Sequence, residues 1–364
     1  MFLVTHNGSR TWGGAERATT LLLAGLQARG HRVLLLCNDP RVAERAGEEA
    51  GVPAERLALG GDAALHHALR LAARLRRLRP DALLVGTFKK VWLAALGARL
   101  AGVRPVVARI GMETDTPRRA KYRWVFGRWV DTVVLNAGRI RPAYLALPRL
   151  SPDRVVVIPN GVRPPERTRS RAEVRAELGL PPGARVVGAV ARLAKQKRLD
   201  RLLEAVALLP PDVHCLLAGG GEERSSLEAL AERLGVAPRV RFTGWRSDTG
   251  DVLGALDVFV LCSDREGMSN AMLEALAAGV PVVSTPVSGA DEALEPFPGG
   301  AAPGVVVPFD AAALAAAVRE LLDDPARLGE MGRAAERRAR ERFSMEAMLD
   351  AYERVLRGGA ERGA

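Results

Sequence analysis

Two pairs of charged side chains stand out by type and spacing: Arg192 with Lys197, and Glu266 with Glu274. Two cations in one loop suit a diphosphate, the arginine through its planar fork and the lysine as a point charge. Two carboxylates suit the neutral hydroxyls of a sugar or a ribose, because an ionised carboxylate only accepts hydrogen bonds. Between the two acids, Gly267, Ser269 and Asn270 are the small and capping residues expected where a strand hands over to a helix. Such a handover turns backbone N–H groups and the positive end of the helix dipole outward, so the amides of Met268–Ala271 suit a phosphate or a sugar oxygen. Each pair also has a plainer reading: a solvated basic loop, and an acidic loop residue beside an amphipathic helix with one surface glutamate.

The elements that must position these residues follow from the pattern. Strands alternate with helical stretches along the whole chain, which predicts an α/β fold of parallel sheets with helices on both faces. In the first half, Met1–Thr5, Arg32–Leu36, Ala82–Val85, Val106–Ile110 and Thr132–Leu135 read as strands, and 14–29, 63–79 and 90–101 as helices. Sheets of this kind bind ligands at the carboxyl ends of their strands. Attention therefore falls on the loops His6–Gly14, Gly86–Lys90, Gly111–Asp115 and Asn136–Arg141. Gly13 and Gly14, opening a helix, let a ligand approach the backbone closely, although a plain tight turn has the same look. His6 fits a structural histidine as well as an acceptor contact.

Val155–Ile158 is a further strand, and the Pro- and Arg-rich stretch Arg163–Ser170 reads as a linker. The expected division is 1–163, 164–343 and a terminal helical segment, 344–364, packing back on the first domain. In the second half, Val186–Val190 leads into the basic loop and Asp257–Leu261 into the acidic one. Val213–Ala218 runs into Gly219-Gly220-Gly221-Glu222. A dinucleotide fingerprint fails there, because Arg224 holds the third glycine position and Arg239-Val240-Arg241 the place of the expected acid.

With 364 residues and 48% apolar content, the chain can bury two ordinary cores. It has no run of about eighteen apolar residues, the length a membrane span needs. The strand Phe2–Thr5 leaves no room for a signal peptide, and Cys37, Cys215 and Cys262 stand singly, so a reducing cytoplasm is expected. The net charge of +11 is uneven: residues 1–163 hold 27 Lys/Arg against 12 Asp/Glu, and residues 164–364 hold 26 against 30. A basic first half favours an anionic membrane or a phosphorylated acceptor, with nucleic acid the weaker partner. At 117–129, basic residues interleave with Tyr122, Trp124, Phe126 and Trp129, which suits peripheral contact with the inner face of a membrane. An amphipathic helix with its aromatics in the core is the alternative.

The string E-G-M-S-N-A-M-L-E-A-L-A-A-G-V-P-V-V, from Glu266, resembles the Glu-x7-Glu signature of the family-four retaining glycosyltransferases (glycosyl transferases group 1). A-R-L-A-K-Q-K-R resembles that family's G-R-L-x-x-x-K-G, with Ala191 for the first glycine and Arg198 for the last. G-G-A-E-R, I-P-N-G-V and R-V-R-F-T-G-W-R resemble further family strings. The resemblance implies the GT-B fold, two Rossmann-like doubly wound domains facing a cleft, with donor on the second and acceptor largely on the first. It implies metal-independent, retaining transfer of a hexose-type sugar from a nucleoside-diphosphate sugar to an acceptor hydroxyl, with no cofactor, in cell-envelope or exopolysaccharide synthesis. The acceptor is a saccharide, a lipid-linked saccharide or a small alcohol. Arg192 and Lys197 would bind the donor pyrophosphate, Glu266 the sugar and Glu274 the ribose. Gly13 and Gly14 would lie near the donor phosphates, and Trp245 or Arg246 would border the base. Many relatives carry a histidine where Gly111 stands here, and Arg109, Glu113 or Asp115 would take over its contacts. A non-catalytic polyanion- or membrane-binding protein on the same scaffold is the rival; a storage-glucan phosphorylase or synthase is disfavoured by the short chain.

Overall fold

A computed structural model describes residues 1–9, 12–61 and 64–358. The middle of the loop His6–Gly14, the first position of the helix expected over 63–79 and the end of the segment 344–364 lie outside the described residues. The chain forms two compact units: Met1–Gly161 with the stretch from Met345 onward, and Val162–Ser344.

The first unit runs β1 (Phe2–Asn7), α1 (Gly14–Ala28), β2 (Arg32–Cys37), α2 (Pro40–Ala50), β3 (Ala54–Arg56), α3 (Leu65–Leu78), β4 (Ala82–Val85), α4 (Val91–Ala101), β5 (Val106–Ile110), α5 (Ala120–Arg128), β6 (Thr132–Leu135), α6 (Arg141–Leu145) and β7 (Val155–Val157). Its seven strands are parallel, in the order β3-β2-β1-β4-β5-β6-β7. β4 and β6 are buried at every residue, as expected of strands covered on both faces. One face packs against α3, α4 and α5 through Leu71, Ala94 and Val125. The other packs against α1 and α2 through Leu22, Leu26 and Val42.

The second unit runs α7 (Arg171–Glu177), β8 (Arg185–Val190), α8 (Leu199–Ala207), β9 (Val213–Ala218), α9 (Arg224–Arg233), β10 (Val240–Gly244), α10 (Thr249–Gly254), β11 (Val258–Leu261), α11 (Asn270–Ala277), β12 (Val282–Ser284), α12 (Ala290–Leu294), β13 (Gly304–Val306), α13 (Ala311–Leu322) and α14 (Pro325–Arg342). Its six parallel strands are ordered β10-β9-β8-β11-β12-β13. The last helix, α15 (Met345–Leu356), belongs to the first unit. Leu349 seats against Gly25 of α1, where a side chain of any size would collide with it, while Arg29 pairs with Asp350 and His31 with Glu353.

Each sheet reverses its winding once, between β1 and β4 and between β8 and β11. At such a switch the loops after the two central strands leave in opposite directions and open a crevice at the carboxyl edge.

Candidate active site

The switch in the second sheet brings the two charged loops together. The loop after β8 carries Arg192 and Lys197, and the loop after β11 carries Glu266. Lys197 Nζ donates to Glu266 Oε1 at 2.5 Å, and Ser263 Oγ donates to the same oxygen at 2.8 Å. Both members of the ion pair are mostly shielded, at 24% and 11% side-chain exposure. The backbone N–H of Asp264 donates to Gln196 O at 3.0 Å, and Gln196 Nε2 donates to Arg265 O at 2.7 Å, so the two loops form one assembly.

Arginines underneath fix that assembly. Arg201, 5% exposed, donates to Cys262 O at 2.7 Å and to Asp264 at 3.0 Å. Arg198 forks onto Asp200 and also reaches Asp264. Burial alone would raise the Asp264 carboxyl, but the hydrogen bonds from Arg201 and Arg198 hold it below its ordinary value. Arg198 sits at φ 50°, a left-handed conformation that glycine adopts without steric cost. The side chain that accepts this strain is the one that ties the loop down.

A third loop backs the first. Gly219 and Gly221, after β9, have φ of 139° and 158°. A Cβ on Gly219 would stand 1.9 Å from Ala191 O, and one on Gly221 2.2 Å from Leu193 O. These two glycines therefore let one backbone press directly on the other. Arg192 extends from the top of this stack, 56% exposed, and meets Glu222 at 3.6 Å. Both side chains are solvated, so the pairing costs Arg192 at most about 1 kcal/mol to leave.

On the other side, Ser269 caps α11 by accepting from the Met272 N–H at 3.4 Å, and it is itself buried. Gly267 and Met268 lie in the turn before the cap, Asn270 opens the helix, and Glu274 lies about a turn further on, half-buried. Thr285, at the end of β12, closes the edge by donating to Ser263 O at 2.8 Å. Two shallow grooves of this unit, one beside Phe297 and Arg337 and one beside Asp291 and Val306, lie away from these groups.

The family models match in order along the chain: Glycosyltransferase Family 4 over residues 12–165 and Glycosyl transferases group 1 over residues 170–342. The lipopolysaccharide core biosynthesis glycosyltransferase LpsE of Rhizobium meliloti is 32% identical over 358 residues, 97% of this chain and 98% of that protein. The chain is a family-four glycosyltransferase. The 2-deoxystreptamine glucosyltransferase of Streptomyces kanamyceticus is 30% identical, covering 81% of this chain and 82% of its own. Among solved structures, HepE of Anabaena in complex with UDP superposes with a TM-score of 0.85 at 22% identity, over 98% of this chain and 100% of that one. WaaG, a glycosyltransferase involved in lipopolysaccharide biosynthesis, superposes with a TM-score of 0.73 at 18% identity, over 99% and 100%. The fold is GT-B.

The other expected positions of the glycosyltransferase fall in several settings. Trp245 is 71% exposed and follows Gly244, whose carbonyl accepts from the Gly219 N–H. Its neighbour Arg246 is held in a network: it donates to Glu177 at 2.7 Å and to Asp248 at 2.6 Å, beside Arg169, which pairs with Glu177, Asp248 and Asp251. The Arg246 guanidinium thus ties the β10 loop to α7. In the first unit, Gly13 is the extended residue before α1, and Gly14 begins that helix.

His6 is fully buried, with Nε2 at 3.1 Å from Leu57 O. Burial drives its pKa down to about 4, against the opposing pull of the Leu57 carbonyl. Arg109 is buried too, donating to Thr19 Oγ1 at 2.9 Å and Asn160 Oδ1 at 2.8 Å. It points to the α1 side because Val107, two residues earlier on β5, lies in the core on that face. Glu113 is exposed in the loop after β5, and Asp115, whose carboxyl is raised by burial against the opposing pull of Lys89, is half-buried there. Of the four acceptor-side positions, Glu113 and Asp115 are therefore the two in reach of a solvent-borne ligand.

Ser263, Asp264, Arg198 and Arg201 were not legible as site residues. The nearest signal was Ser263 three positions before Glu266 in a loop already under suspicion. Burial pushes the Cys37 thiol up to about 11 and Cys262 up to about 12, which removes both as ready nucleophiles.

Proposed function

We propose that this glycosyltransferase moves a hexose-type sugar from a nucleoside-diphosphate sugar to an acceptor hydroxyl with retention of configuration and without a metal ion. The observation that carries the reading is the Lys197–Glu266 contact at the switch of the second sheet. It sets a cation for the departing diphosphate beside a carboxylate for the sugar hydroxyls.

Breaking the sugar–phosphate bond builds negative charge on the diphosphate and positive charge on the anomeric carbon. An ammonium has three N–H donors, so Lys197 can keep Glu266 and still donate to a phosphate oxygen. Arg192 leaves Glu222 at little cost and closes on the same diphosphate as a fork. The amino end of α11 adds its dipole. Preorganised contacts of this kind are worth about 3–4 kcal/mol each. Glu266 holds hydroxyls of the sugar, Glu274 those of the ribose, and the exposed ring of Trp245 borders the base. Gly13 and Gly14 allow close approach of the donor phosphates, and Glu113 and Asp115 meet the acceptor. The acceptor oxygen bonds to the anomeric carbon on the face the phosphate leaves, and its proton passes to the departing phosphate oxygen.

Relatives named for lipopolysaccharide core biosynthesis support a saccharide acceptor of the cell envelope, and the UDP complex of HepE supports a uridine donor. Three buried free thiols suit a reducing compartment on the cytoplasmic side. Among the described residues no helix is long and apolar enough to cross a membrane. The deciding experiment screens UDP-, GDP- and ADP-sugars by thermal shift, then follows nucleoside diphosphate release with saccharide acceptors. One nucleotide should raise the melting temperature and support turnover. Stabilisation by none of them, with no diphosphate released, overturns the reading.

A further inference from the structure

The two faces of the first sheet carry opposite charge. Helices α3, α4 and α5, on one face, hold 8 Lys/Arg and no Asp/Glu. Helices α1, α2 and α15, on the other, hold 4 Lys/Arg against 7 Asp/Glu. Across residues 64–130 there are 15 Lys/Arg and 3 Asp/Glu, so the excess positive charge of the chain is concentrated here.

The same face carries the exposed apolar side chains. Among the described residues of the first unit, the large hydrophobics in water are Leu65 at 51%, Leu69 at 60%, Leu100 at 41% and Trp124 at 41%. All four lie on α3, α4 or α5. The surface is continuous. α3 and α4 touch backbone to side chain at Gly97, whose Cβ would stand 3.0 Å from Ala68 O, and Arg76 donates to Leu100 O at 2.6 Å. Arg99 of α4 donates to Trp129 O at 3.1 Å, and Trp129 stacks between Trp92 and Trp124. Most aromatics of the 117–129 stretch are spent on this packing: Tyr122 and Phe126 are buried against Phe88. Trp124 is the one that reaches well into water, and the exposed leucines of α3 and α4 extend the apolar surface beyond it.

We propose that the α3–α4–α5 face docks on an anionic membrane surface, with Leu65, Leu69, Leu100 and Trp124 entering the headgroup layer. Exposed Arg70, Arg77, Arg123 and Arg128 would meet the lipid phosphates. Charge complementarity selects this occupant. A layer of helices with apolar tips, cationic flanks and no carboxylate matches anionic lipid and repels its own like-charged copy. The proposal goes beyond the glycosyl-transfer reading and needs none of its site residues.

The test is co-sedimentation with vesicles of phosphatidylcholine containing 30% phosphatidylglycerol, against phosphatidylcholine alone, at low and high salt. The wild type should partition onto the anionic vesicles at least tenfold more strongly, and lose this advantage in high salt. Leu65→Glu/Leu69→Glu and Arg70→Glu/Arg77→Glu should each lower the partition at least tenfold. Arg41→Glu/Arg45→Glu, on α2, should change it less than twofold. All variants should keep the wild-type melting temperature and its response to UDP. Equal binding to both vesicles, equal loss in the α2 variant, or a dimer broken by the Leu65/Leu69 change would overturn the proposal. Loss of the UDP response with vesicle binding intact would count against the donor reading alone.

Discussion

At the scale of single residues, the donor site depends on one lysine with two tasks. In the free protein Lys197 neutralises Glu266, a carboxylate only 11% exposed. In the proposed reaction it also neutralises the departing diphosphate. Removing it therefore leaves an unpaired, shielded carboxylate and an uncompensated leaving group. Lys197→Ala should lower kcat by at least tenfold, and up to about a thousandfold if its whole contribution is made in the transition state. Glu274→Ala should instead raise the donor dissociation constant with a smaller change in kcat, as expected of a ribose contact that is equal in ground and transition states. Steady-state kinetics on both variants separates the two roles; unchanged kinetics in both would reject the assignment. Because the cations are supplied by side chains, EDTA should leave turnover within twofold of its untreated value. A collapse in EDTA restored by a divalent ion would remove that part of the mechanism. The cation pair and the two acids were legible in the sequence because each lies within one short string. Ser263, Arg201 and Asp264 act only through contacts between strings, so nothing local marked them.

At the scale of elements, the site is three loops stacked at one sheet edge, and the stacking is made of backbone. Gly221 presses on Leu193 O, the residue after Arg192, with no room for a methyl group at 2.2 Å. Gly221→Ala should displace the loop after β8, cost on the order of 1–3 kcal/mol in unfolding free energy, and raise the donor KM more than it lowers the unfolding midpoint explains. Chemical denaturation and donor kinetics on one preparation check both parts; wild-type donor KM would show that the loop stack is incidental. The sequence showed that these loops exist, since a strand followed by glycines and charge is a local pattern. It did not show which loops become neighbours, because the order β10-β9-β8-β11 is decided by how the strands pack. α2 and the short β3 were passed over for a related reason. β3 is three residues long and only partly buried, so it has no apolar run, and α2 buries little besides Val42 and Ala46.

At the scale of the whole molecule, the two units should answer acid differently. His6 lies at the centre of the first unit, and its pKa of about 4 is well below the ordinary 6.5. Its unfolded form takes up a proton below about pH 6.5 and its folded form does not, so the unfolded state binds more protons in this window. Stability is therefore fully present above pH 6.5 and is lost as pH falls toward 4, by on the order of 3 kcal/mol. In the second unit the carboxylate of Asp251 shows the usual acid case: burial would raise it, but hydrogen bonds from Arg169 and Thr168 lower it to about 2. Its contribution holds above about pH 3.8 and disappears only below that. The first unit should thus weaken at milder acidity than the second. Four of the five tryptophans, Trp12, Trp92, Trp124 and Trp129, belong to the first unit, so intrinsic fluorescence follows mainly that unit. The urea midpoint read by fluorescence should fall steadily between pH 6.5 and 4, and His6→Gln, which keeps a donor for the Leu57 carbonyl, should flatten that fall. An unchanged slope in the variant would mean that other groups, and not the buried imidazole, set the acid limit of the first unit.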